Sequence, residues 1–80
     1  MLFRSKARRL ANSLVSDIIA YHPTEYAAAR AAGTLPETFR EEIHKSHADY
    51  VDQVGQALAD STPYFRDALN TILAAGQPLF

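Results

Sequence analysis

Glu41 and His44 stand three apart in the stretch EEIHKSH, and His47 follows one turn later. On a helix that spacing sets a carboxylate beside imidazoles, the pairing from which di-iron bundles build their centres. Such a centre needs a second copy of the motif and further glutamates. This chain has the motif once, so a metal site on Glu41, His44 and His47 would require a dimer to complete it. Glu41 also points away from the face that Ile43 and Tyr50 define. The plainer reading makes His47 a half-buried histidine with a hydrogen-bond partner. No cofactor is implied.

Arg4, Lys6, Arg8 and Arg9 form the second constellation, half of the eight lysines and arginines in the chain. They could contact phosphates, each contact adding to a salt-dependent affinity. No aromatic residue is interleaved with them, as single-strand binders require. Cations at a helix start oppose the helix dipole. That misfit predicts an acidic counterpart, the side of a later helix carrying Glu41, Glu42, Asp49 and Asp52, in the same copy or a second one. An anionic membrane surface is a further use for this helix, in competition with a bundle core for the same apolar face.

Asp17 lies one turn after Leu14 and one before Tyr21, at the edge of an apolar stripe. A carboxylate there is costly unless paired or hydrogen-bonded. The expected partner is a tyrosine hydroxyl, a histidine or an arginine of another helix; the alternative is contact with a bound protein. Asn70, inside ALNTIL, is a second edge residue, expected to bond across helices or to a loop. A catalytic role for Asp17 would need a cleft and a second titrating group, and none is readable. In the tail GQPLF, Leu79 and Phe80 either fold back on the domain or dock on a partner that reads a free carboxyl terminus.

The elements that must position these groups are helical. Phe3, Ala7, Leu10, Leu14, Ile18 and Tyr21 recur at spacings of three and four, the period of one helix face. Ala11, Val15 and Ile19 widen the stripe, and Pro23 ends it. A short alanine-rich helix from about Thr24 to Ala32 follows, closed by Gly33. A third and longest helix is predicted from Thr34, with Glu37 completing a capping box, to about Ala59. Its stripe is Phe39, Ile43, His47, Tyr50, Val54 and Leu58, and Gly55 weakens or bends it. The fourth opens at Ser61 or Thr62 with Pro63 in its first turn. Its apolar face is Phe65, Leu69, Ile72 and Leu73, and Gly76 stops it. The expected fold is all-α, a single domain over residues 1–80, a small bundle of about four helices, one short, that dimerisation could complete.

The totals agree with a modest core. Apolar residues make up 48% of the 80 residues, but much of that share is alanine. A chain this small often gains stability from self-association or a partner. The formal net charge of −1 provides no global field for nucleic acid. No cysteine is present, which excludes a disulfide or thiolate metal site and fits a reducing compartment. No apolar run approaches the roughly 20 residues that span a bilayer, and no secretory signal is readable. The expected location is the cytoplasm.

RRLANSLVSDIIAYHP, HADYVDQVG and STPYFRDALNTIL together resemble a helical module of bacterial proteins, found alone or appended to zinc-ribbon and signalling domains. The likeness covers most of the chain. It is best marked from Arg9-Leu10-Ala11 through Leu14-Val15-Ser16-Asp17-Ile18. The resemblance implies no chemistry, and the zinc-ribbon cysteines are absent here. The expected function is a non-enzymatic protein–protein interaction module, a small homo-oligomer (a homodimer first) or an accessory subunit of a larger bacterial assembly. A nucleic-acid binder using the basic first helix and a metal-binding helical dimer are the alternatives. Phe3, Leu10, Leu14, Ile18, Phe39, Ile43, Tyr50, Phe65 and Leu69 are the expected core or interface.

Overall fold

The computed structural model describes residues 4–80. Phe3 lies outside the described residues. Helix α1 spans Arg4–Tyr21, α2 Pro23–Ala32, α3 Leu35–Thr38, α4 Arg40–Val54, α5 Gln56–Ser61 and α6 Tyr64–Ala68. The last runs on into a π-helical turn, Leu69–Leu73. No strand occurs among the described residues, so the all-α class holds. None of these helices is long and apolar enough to cross a membrane.

The number of helices exceeds the expected four because the predicted third helix is divided. Gly55 does not merely weaken it: at φ 90° and ψ 148° the backbone leaves the helical region altogether, in a conformation glycine tolerates and other residues avoid. The expected capping box at Thr34 is also absent. No Thr34 side-chain bond caps α3; its hydroxyl instead shares a 3.1 Å hydrogen bond with that of Thr38. Neither Ser61 nor Thr62 caps α6. Ser61 ends α5, and the Thr62 hydroxyl donates to the Leu58 carbonyl at 2.7 Å. The close of α2 is as expected: Gly33 adopts φ 73°, and the Thr34 N–H donates to the Ala29 carbonyl at 2.9 Å.

The molecule measures 40 × 21 × 17 Å. Two packed helix layers occupy about 13–15 Å between their outer Cα atoms, so the thinnest dimension holds two layers and no third. Helix α1 packs chiefly against α4 and α6 rather than its sequence neighbour α2. Its inner face is Ala7, Ala11, Val15 and Ile18, the first three fully buried. Leu10 and Leu14, expected at the core, are partly buried beside it. The alanines let two helices approach α1 closely, and the bulk comes from Tyr50 of α4, Phe39 just before it and Leu73 of the π-helical turn, among the largest fully buried side chains. Ile43 packs against the cluster from its margin. Tyr21, expected on the stripe, is 76% exposed. It is the last residue of α1, where the chain turns at His22 into α2.

Half-buried Tyr26 and fully buried Tyr50 differ in how their hydroxyls are satisfied. The Tyr26 hydroxyl donates to the Leu73 carbonyl at 2.8 Å, taking up a carbonyl at the end of the π-helical turn. The Tyr50 hydroxyl is buried without a hydrogen-bond partner among the described residues. Removing a made bond costs about 1 kcal/mol, and removing an orphaned buried polar group returns its desolvation penalty of similar size. Tyr26→Phe therefore lowers the melting temperature, and Tyr50→Phe raises it, each by about 4–8 °C. Thermal unfolding followed by circular dichroism checks both; two shifts of the same sign contradict the assignment.

Candidate functional site

Helix α4 carries two polar margins. On one side Arg40, His44 and His47 recur at intervals of four and three, so they share one flank of the helix. They line an open groove floored by Ile43 with Phe65 of α6 and Leu69 of the π-helical turn. Arg66 extends this rim along α6, where the groove continues past Asp60, Ser61 and Thr62. The His47 ring meets Phe65 edge-on, with centroids 5.1 Å apart. Phe65 in turn lies 5.5 Å from the Tyr50 ring. These aromatics bridge α4 and α6 beneath the groove.

The opposite flank of α4 is acidic. Glu42 and Asp49 line a second groove with Asp17 of α1, over a floor of Leu14, Ile18 and Tyr21; Lys45 and Ser46 also line it. Carboxylates outnumber the single lysine there. Both grooves are open to solvent; Arg40 is the charged residue of the first, and Asp17, Glu42, Lys45 and Asp49 are those of the second.

Several expected site residues stand differently from their sequence reading. Asp17 does lie at the packing edge, but it is exposed and has no hydrogen-bond or ion-pair partner among the described residues. Solvent meets its hydration need, so it requires none. His47 is exposed rather than half-buried, and its ring contributes aromatic packing. Glu41 and His44 are exposed. Among the described residues no three metal-ligating side chains gather, so Glu41, His44 and His47 do not form a centre within one copy.

No ion pair joins the basic cluster to a carboxylate among the described residues. Arg4, Lys6, Arg8 and Arg9 are exposed. Arg8 instead places its guanidinium 5.8 Å from the Tyr64 ring centroid, a cation–π contact. It shares a groove with Asn12, Asp67 and Thr71. Within one copy the cluster does not pair with Glu41, Glu42, Asp49 or Asp52, and Glu42 and Asp49 face the C-terminal half of α1 instead.

Asn70 bonds to a loop segment, as expected. Its Oδ1 accepts the Phe80 N–H at 2.8 Å, and its carbonyl accepts the Gly76 N–H at 2.8 Å. Phe80 is thereby folded back on the core cluster, whereas Leu79 remains 43% exposed.

Arg40 and Arg66 were not among the residues singled out by type and spacing. Arg40 was legible, since it continues the His44 and His47 flank at helical spacing. Arg66 was not, because only the packing of α6 beside α4 joins it to that rim. Comparison with protein-family models, curated proteins and solved structures finds no match to this chain.

Proposed function

We propose that the chain is a non-enzymatic protein–protein interaction module, working in the cytoplasm as a small homo-oligomer or as an accessory subunit of a larger bacterial assembly. The observation that carries this reading is the pair of grooves flanking α4, apolar-floored and oppositely rimmed. An apolar centre inside a polar margin is the anatomy of protein interfaces. The two-layer build supports it further, because α4 and α6 each bury one face on α1 and present the other outward. Contact with nucleic acid through Arg4, Lys6, Arg8 and Arg9 is the second reading, favoured by four exposed cations without an acidic partner among the described residues.

The test is the native mass of the untagged protein in a gentle lysate of its source cell, before and after nuclease, with co-eluting proteins identified. Elution above the 8.9 kDa chain mass, unchanged by nuclease, is expected. Elution as a lone monomer overturns the module. A nuclease-sensitive mass transfers the function to the second reading.

A further inference from the structure

We infer that the segment after Leu73 is a two-state strap, closed in this structure on both oxygens of Asn70, and that its opening rewinds the π-helical turn into α-helix. The inference does not depend on the interaction-module reading. Asn70 is the branch point. In an α-helix its carbonyl accepts the N–H of Ala74, four residues on. Here the Ala74 N–H donates to the Leu69 carbonyl instead, at 2.9 Å, and the Asn70 carbonyl takes the Gly76 N–H at 2.8 Å. The side chain repeats the pattern, its Oδ1 accepting the Phe80 N–H at 2.8 Å. Closing the strap and holding the π register are therefore one event, since both take the Asn70 carbonyl out of the α-helical ladder.

Two further features mark the closed state as held in place by its surroundings. Ala75 sits at φ 54°, and no other described non-glycine residue has a positive φ. That left-handed conformation is unfavourable for an L-residue. The Leu73 carbonyl, past the end of the ladder, takes the Tyr26 hydroxyl at 2.8 Å. π-helical turns and strained backbone both recur at functional sites, strained backbone at switch regions in particular. The forces that favour closure are tertiary. Ala74 is buried in this register, Phe80 packs on the core cluster, and Tyr26 and Asn70 bond the segment. The forces that oppose closure are local: the strain at Ala75, and the high helix propensity of Ala74 and Ala75, which extend the helix once the strap is free. Opening withdraws Phe80 from the core and frees both Asn70 oxygens. A ligand that binds one state alone shifts the pair toward it.

The experiment is nuclear magnetic resonance of the purified 80-residue chain, with carbon saturation transfer for the minor state and amide hydrogen exchange for its bonds. The wild type is expected to show a minor state, on the order of 1%, with helix-like Cα shifts at Ala74 and Ala75. Asn70→Ala removes the clamp from the closed state and improves the helix propensity of the open one. It is expected to raise the open population at least about fivefold. Ala75→Gly relieves the closed backbone and weakens the open helix, and is expected to lower that population at least about fivefold. The Gly76 and Phe80 amides are expected to exchange through opening, while the Ala74 amide, bonded in both states, stays protected longer. No helical minor state in Asn70→Ala down to about 0.1% overturns the inference. So do shifts of the same direction in the two variants. An Ala74 amide that exchanges together with Gly76 overturns it as well, because the turn then frays instead of rewinding. Ala75 is exposed, so its variant keeps the test decisive if Asn70→Ala loses its fold.

Discussion

Replacing Phe65 with alanine is expected to destabilise the domain by about 3–5 kcal/mol, the range for emptying a buried phenylalanine site. Phe65 is 6% exposed and stands between α6 and α4. Its ring meets Tyr50 at 5.5 Å and His47 at 5.1 Å, so one truncation removes apolar burial and two aromatic contacts together. The helices cannot simply close over the gap, because both already rest on the alanine face of α1. Small domains lie toward the low end of a stability range of about 5–15 kcal/mol, so the variant is expected to be largely unfolded near 37 °C. Urea unfolding followed by circular dichroism measures it. Phe65→Leu, which keeps most of the volume, is expected to lose less than half as much. Equal losses in the two variants, or a loss under about 1 kcal/mol for alanine, contradict the bridging role.

Enlarging Ala11 to leucine is the second large effect, with an expected cost of about 2–3 kcal/mol. Ala11 is fully buried at the middle of the α1 face. Leucine has nearly the same helix propensity as alanine, so the helix itself does not resist the change. The cost comes from the neighbours: α4 and α6 must move apart, or the new side chain must leave its preferred rotamer. The control is Ser13→Leu on the exposed side of the same helix, expected to change stability by no more than about 0.5 kcal/mol. Comparable losses at the two positions contradict close packing on the alanine face.

That contrast shows where the sequence was misleading. Leu10 and Leu14 carry the larger apolar side chains, so the stripe is centred on them by hydrophobicity alone. The buried face is centred instead on Ala7, Ala11 and Val15. Hydrophobic periodicity detects a face, but its centre depends on how closely the partner helices approach. Close approach favours small side chains over large ones. Tyr21 fits the helical period and is exposed because α1 ends with it. His47 fits the period of the third helix and lies outside the core because Phe65 fills the space beneath it.

Local signals were read well where they act locally. Pro23 and Gly33 bound α2 through the steric limits of proline and the left-handed freedom of glycine. Gly55 marks a weak point, and glycine's tolerance of φ 90° makes it the place where the helix breaks. The candidate surfaces were legible only in halves. The acidic residues of α4 and the His44–His47 spacing stand in the sequence. Their partners Asp17 and Arg66 join them only through packing on α1 and α6.

The sequence by itself determined an all-α chain, the close of α1 at Pro23, the left-handed cap at Gly33 and the segregation of charge around α4. Each follows from backbone sterics or helical period acting within a few residues. Only the tertiary structure decided which stripe of α1 is innermost, that Arg8 at the basic end of α1 meets the Tyr64 ring, and that Asn70 holds the segment ending at Phe80. Those outcomes depend on contacts between residues distant in sequence, where volume and close approach, rather than period, select the arrangement.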